Sequence, residues 1–284
     1  MSEVENIVRQ FIKTSPAGDD TTIVKDIKVL LNNADADKLI SSVLREHYTS
    51  ELDEDVKICG DLKLVQLSNG EFSIVSSYNL SGMKFYDTKQ GIQFDYDFIN
   101  NKAIDIEHRL PNGITVDSSV EKIQSQLDDY VAKYYIERSY GFVIPAESES
   151  DNSDELKILI VGEKLNDANY YNGKWASVYS YNVDSGVLNA IVKIKIHYYE
   201  DGNVVLNSIE ATKVGNVSDI SKVIDSIIEF DSAHELSVLQ KINTLNENKF
   251  KNLRRLMPIS RSKIQWGRAI GNYKLGQDVV GGRG

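Results

Sequence analysis

Apolar residues recur at intervals of three and four through the start of the chain, a spacing that predicts helices. Val4, Ile7, Val8, Phe11 and Ile12 make the first set, which Pro16-Ala17-Gly18-Asp19 interrupts. Thr21 and Thr22 open a second, with Ile23, Val24, Ile27, Leu30 and Leu31 on its apolar face. A third runs from Asp35 through Leu39, Ile40, Val43, Leu44 and Tyr48. Short connections favour antiparallel neighbours, so residues 1–50 read as a three-helix stalk.

From about Lys57 the period falls to roughly two. Leu62 to Leu67, Phe72 to Tyr78, Lys84 to Tyr86, Gln93 to Phe98 and Lys102 to Ile106 are short strand candidates separated by polar or glycine-bearing turns. After Pro111-Asn112-Gly113, the residues Ile123, Leu127, Tyr130 and Tyr134 mark one helical face, which completes a small β region and helix over 51–146. Residues 147–155, ESESDNSDE, contain no apolar side chain and read as an acidic loop.

Residues 156–248 read as a large antiparallel sheet followed by a long helix. The strands expected are Leu156 to Glu163, Lys174 to Val183, Val187 to Glu200 and Asn203 to Val214. Val192, Ile194, Ile196 and Tyr198 alternate with Lys193, Lys195, His197 and Tyr199, which places one set on each face. Asp201-Gly202 suits the positive φ angles of a type I′ turn and predicts a hairpin. Helical periodicity then runs from Val217 through Ile220, Val223, Ile224, Ile227, Ile228, Leu236, Leu239, Ile242 and Leu245. About thirty residues at about 1.5 Å each give a helix of roughly 45 Å, whose apolar stripe must cross a broad sheet or meet another chain. The fold class expected is α+β.

Charge changes this picture at the C-terminus. The stretch from Lys249 to Lys274 holds Lys249, Lys251, Arg254, Arg255, Arg261, Lys263, Arg268 and Lys274 and no acid. Removing these eight positive charges from a whole-chain formal charge of −10 leaves −18 on the rest, so 249–284 reads as a basic binding tail on an acidic body. Beyond Pro258 a short amphipathic helix would set Trp266, Ile270 and Tyr273 on one face, a surface suited to a groove on a partner.

Candidate chemistry is sparse. His47, His108, His197 and His234 each lack a second ligand at metal-binding spacing, and His197 reads as a solvent-facing or helix-packed residue. The single cysteine, Cys59, cannot form an internal disulfide and reads as a small buried residue. There is no phosphate-binding glycine loop, dinucleotide fingerprint or nucleophile elbow, and no basic n-region with an apolar h-region at the N-terminus. A soluble intracellular protein that is not an enzyme and takes no cofactor is expected.

Three blocks carry a family resemblance. Residues 250–266, FKNLRRLMPISRSKIQW, resemble the C-terminal signature of F-actin capping protein alpha subunits, and residues 193–204, KIKIHYYEDGNV, resemble their last hairpin. Residues 11–19, FIKTSPAGD, are similar to an N-terminal motif ending in Pro-Pro-Gly-Glu, with Ala17 in place of the second proline and Asp19 in place of the glutamate. The resemblance implies an obligate heterodimer with a beta subunit, in which two sheets join and long helices cross them. It also implies a C-terminal tentacle that binds the barbed end of an actin filament without calcium and blocks subunit addition and loss.

Carried over by position in the signature, the principal actin contacts are Lys251, Arg255 and Arg261, and Arg254, Lys263, Trp266 and Ile270 complete the expected surface. The resemblance further implies regulation by acidic phosphoinositides, with Lys251 and Arg255 as contacts, and a place in the cytoplasm on cortical actin structures. Nucleic acid is the alternative target of such a tail, and the acidic body argues against it.

Overall fold

The computed structural model describes residues 3–32, 35–50, 61–135, 138–145, 155–166, 170–199 and 203–244. The fold is α+β, with N-terminal helices, antiparallel sheets and a C-terminal helix. The chain divides after Ile224 into two units, which are taken in turn.

The first unit opens with α1 (Glu3–Lys13), α2 (Asp20–Leu31) and α3 (Ala36–Thr49). Their inner faces bury Val8 and Ile12, Val24 and Ile27, and Ile40, Val43, Leu44 and Tyr48. Leu30, expected on the apolar face of α2, is 74% exposed. A helix of this length buries a stripe rather than its whole circumference, and Leu30 falls outside the Val24–Ile27 row.

These helices share one core with two small sheets. One pairs β1 (Lys63–Gln66) with β2 (Phe72–Val75). The other is an antiparallel meander of β3 (Leu80–Ser81), β4 (Lys84–Asp87), β5 (Ile92–Asp97) and β6 (Lys102–Glu107). Val65, Val75, Phe85, Phe94, Tyr96 and Phe98 join the helical residues in that core.

Next comes α4 (Ser118–Tyr134), capped at its N-terminus by Asp117, whose carboxylate accepts from Ser119 N and Val120 N. Its buried face is Val120, Ile123, Leu127, Tyr130 and Val131. Tyr134, expected on that face, shares it with Leu127 and Tyr130 but is half exposed as the last residue of the helix, its ring 5.2 Å from that of Tyr130.

The five-stranded antiparallel sheet has the order β11-β10-β9-β8-β7. It contains β7 (Arg138–Ile144), β8 (Glu155–Asn166), β9 (Tyr171–Asn182), β10 (Val187–Tyr198) and β11 (Val204–Asn216). β7 was not among the expected strands. It follows α4 closely and carries Gly141 at its centre, so its alternation is weak in sequence. Glu155, assigned to the acidic loop, begins β8 instead, paired with Asn182. The rest of that loop, the Asp201-Gly202 turn and Cys59 lie outside the described residues.

One face of the sheet is covered unevenly. Leu62, Leu64, Ile74 and Tyr86 pack on Tyr140, Phe142, Leu159, Val161, Ala176 and Val178, which belong to β7, β8 and β9. Along one rung, Tyr140, Val161 and Ala176 are buried, Lys193 is half-buried and Ile209 is 53% exposed. The cover ends before β11.

α5 (Val223–Thr244) starts at the end of the first unit after a 3-10 turn at Ile220–Lys222. The helix begins later than the Val217 expected from periodicity, because β11 continues to Asn216. At about 1.5 Å per residue its 22 described residues span about 33 Å. In the second unit, Ile227, Asp231, His234 and Val238 are buried, and Phe230 stacks on His234 at 5.8 Å. Leu236, expected in the apolar stripe, is exposed, and the polar Asp231 and His234 occupy the buried row.

Candidate functional site

Lys251, Arg254, Arg255, Arg261, Lys263, Trp266 and Ile270 all lie outside the described residues. Two other features of the first unit stand out: a buried charged joint beneath the sheet, and the free edge at β11.

The joint brings two of the three signature blocks together. Gly18, in the turn between α1 and α2, adopts φ +89° and lies against β9, where an added Cβ would fall 2.6 Å from Asn172 Nδ2. Only glycine combines that backbone angle with so close an approach. The neighbouring Asp19 Oδ2 lies 3.3 Å from Nδ1 of His197, and Nε2 of that ring is 3.0 Å from Asn203 Oδ1. His197 is buried, so the helix-packed reading holds and the solvent-facing one does not.

Deeper in, two lysines and a histidine surround Asp61. Lys195 Nζ donates to its Oδ2 at 2.8 Å, Lys174 Nζ stands at 3.8 Å and His47 Nε2 at 4.0 Å. Lys174 and Lys195 are direct cross-strand partners, an arrangement of like charges that repels unless an anion lies between them. Burial alone would raise the Asp61 carboxyl, but Lys174 and Lys195, then Lys193 and His47, outweigh it and hold it well below the usual range. Lys174 is raised in turn, chiefly by Asp61 against the opposing effect of burial.

A second carboxylate, Asp20, accepts from Tyr48 Oη at 3.1 Å and from Lys63 Nζ at 3.4 Å. Lys63 also sits over the Tyr48 ring at 5.4 Å. His47 is half-buried and its pKa falls to about 4, first through loss of hydration, with Asp61 acting in the opposite sense. The acids Asp19, Asp20 and Asp61 come from the helical side, and Lys174, Lys195 and His197 from the sheet. This arrangement fastens one layer to the other and presents no nucleophile poised beside a base.

Sequence reading placed Lys193, Lys195 and His197 on one face but missed their acidic partners. The available signal was the presence of three basic positions on a strand whose other face is wholly apolar. Among the described residues, no group of histidines, cysteines and carboxylates is placed to hold a metal, and no helix is long and apolar enough to cross a membrane.

The second feature is the edge itself. β11 pairs with β10 from Val204 to Asn216 on one side, and among the described residues it has no partner on the other. Val205 and Ile209 are exposed on one face, while Leu206, Ser208, Glu210 and Thr212 are half-buried on the other. A long and partly apolar edge with open backbone groups is a pairing surface.

Comparison with known proteins agrees with this architecture and with the signature blocks. The chain matches the profile of the F-actin capping protein alpha subunit over residues 8–278. It is 32% identical to the F-actin-capping protein subunit alpha of Candida glabrata, covering 99% of both chains. The corresponding protein of Yarrowia lipolytica is 36% identical, with 98% of this chain and 97% of that one aligned. In fold it resembles a homodimeric actin capping protein alpha subunit from Plasmodium berghei, with a TM-score of 0.63, 16% identity, and coverage of 87% of this chain and 96% of that one. With the profile spanning nearly the whole chain and relatives above 30% identity aligned end to end, the chain belongs to the F-actin capping protein alpha subunit family.

Proposed function

We propose that this chain is the alpha half of a heterodimer that binds the barbed end of an actin filament, independently of calcium, and blocks subunit addition and loss. The observation that carries the assembly is the β11 edge, which offers 13 residues of strand for a beta subunit to extend. The exposed Val205 and Ile209 would be covered in the same step.

Filament binding is assigned to the basic segment. Lys251, Arg255 and Arg261 act as the principal contacts, Arg254 and Lys263 add charge, and Trp266 and Ile270 supply an apolar anchor. Arginine forks grip carboxylates in two places at once, and several together slow departure as well as speed encounter. The same cations, Lys251 and Arg255 first, would bind acidic phosphoinositides and release the filament. This role places the protein in the cytoplasm on cortical actin. The competing reading, a basic arm for lipid or nucleic acid alone, rests on charge without the signature.

The test is co-expression with a beta subunit followed by a seeded actin elongation assay. The wild-type complex should stop barbed-end growth with calcium chelated. Arg255→Ala with Arg261→Ala should weaken capping by about tenfold or more while leaving the heterodimer intact. Unchanged inhibition by the double variant would remove these residues from the mechanism.

A further inference from the structure

The two acids at the end of the α1–α2 turn take different partners. Asp20 turns inward to Tyr48 and Lys63. Asp19 holds the N-cap position of α2, where an aspartate ordinarily accepts from amides of the first helical turn, and it makes no such bond. Asp117 does so at the start of α4, and Asp219 before the 3-10 turn.

The Asp19 carboxylate stands instead 3.3 Å from Nδ1 of His197, whose ring is buried and whose Nε2 lies 3.0 Å from Asn203 Oδ1. Both ring nitrogens therefore face oxygen. A carboxylate and an amide carbonyl only accept, so a neutral imidazole, with one N–H and one lone pair, leaves one of these contacts repulsive. The imidazolium donates to both. Among the described residues no hydrogen bond reaches the buried Nδ1, which leaves the ion pair with Asp19 to compensate it. Tyr199 stacks on the ring at 4.8 Å, a geometry that favours a cation. The cross-strand neighbours Asn172 and Val205 are uncharged. One rung along, Lys174 and Lys195 are turned to Asp61, and Glu163 to Arg138.

We infer that Asp19, His197 and Asn203 form a proton-dependent latch: the imidazolium ties the α1–α2 turn to the paired ends of β10 and β11, and loss of the Nδ1 proton to water frees Asp19 to cap α2. The Asp19 side chain is the two-state element, since it is 37% exposed and has an alternative set of donors in its own helix. Imidazole supplies the signal, because its charge ordinarily changes between pH 5 and 8.

The experiment compares the full-length chain, in complex with a beta subunit, at pH 6 and pH 8, on either side of the ordinary imidazole midpoint of about 6.5. His47, which takes up its proton near pH 4, is silent in this range. At pH 6 the ring-nitrogen NMR shifts of His197, identified by their loss in His197→Gln, should be those of an imidazolium. The Tyr199 amide, which donates to Tyr170 O, should exchange about threefold more slowly at pH 6 than at pH 8 once the intrinsic effect of pH is removed. The amides of Thr21 and Thr22 should move the other way, gaining protection at pH 8 as Asp19 caps them. Asp19→Asn, which keeps the shape and the capping oxygen, guards against a folding defect and should show the pH 8 pattern at both values. The latch is overturned if wild type protects these amides equally at pH 6 and pH 8, if Asp19→Asn keeps the wild-type response, or if His197 carries a single ring proton at pH 6.

Discussion

At the β7 edge of the large sheet three backbone groups, Gly141 O, Val143 N and Val143 O, take side-chain partners, while the β11 edge has no strand beside it among the described residues. Gln124 on α4 does most of this at β7. Its side-chain carbonyl accepts from Val143 N at 3.0 Å and its amide donates to Gly141 O at 3.2 Å, so one side chain reproduces the bonds of a neighbouring strand. Thr88 donates to Val143 O. Gly141 makes room for this, because an added Cβ would lie 3.3 Å from Val131 on α4. At β11 no described strand lies alongside. Two edges of one sheet thus show that an exposed strand is neither an accident nor a necessity: a helix with a well-placed amide closes one, and the other stays available for assembly.

The largest expected effect lies beneath β9 and β10. Asp61→Asn removes the anion between Lys174 and Lys195 and leaves two partly buried ammonium groups facing each other. Loss of one partner from a buried ionic cluster costs about 3 to 5 kcal/mol. Denaturant unfolding of the heterodimer should show that loss without changing which edge pairs. A drop below about 1 kcal/mol would mean that the joint does not hold the layers together.

A smaller effect should come from acid. His47 takes up a proton in the folded chain only near pH 4, against 6.5 for an unperturbed imidazole. As pH falls below about 6.5 the unfolded chain binds a proton that the folded chain refuses, so the contribution of His47 is whole above that pH and is lost on the way down to about pH 4. The loss is about 2 to 3 kcal/mol. The lowered carboxyl of Asp61 adds its own loss at still more acid pH, as it too is forced to protonate. Unfolding free energies measured between pH 7 and pH 4 should follow this fall in wild type and flatten in His47→Gln; an equal slope in both would exclude His47 as its source.

The smallest effect sharpens the comparison most. Gln124→Ala opens the β7 edge by leaving Val143 N and Gly141 O without their partner, at a cost of about 1 to 3 kcal/mol. The heterodimer should then associate further through β7, visible as concentration-dependent sedimentation. A variant that remains a single heterodimer at high concentration would show that α4 shields the edge sterically as well.

Much of the fold was legible in the sequence. The alternation of Val192 and Ile194 with Lys193 and Lys195 gave β10 and its faces, and helical spacing gave α1, α2, α3 and α4. β7 escaped because seven residues with a central glycine, close behind a helix, show no clear period. Of the predicted filament contacts, the sequence supplies residue types and order, and these lie outside the described residues.

By itself the sequence determined the order of helices and strands, the faces of the long strands and the family, because period, turn chemistry and ordered motifs are local properties of the chain. The tertiary structure decided what the charges do. Asp61 and Lys195 are 134 positions apart, and nothing near either one reveals the other. His197 looks like a surface residue until Asp19 closes over it. The state of an edge is likewise non-local: it depends on whether a distant side chain such as Gln124 comes to rest beside it, and only the packed chain brings the two together.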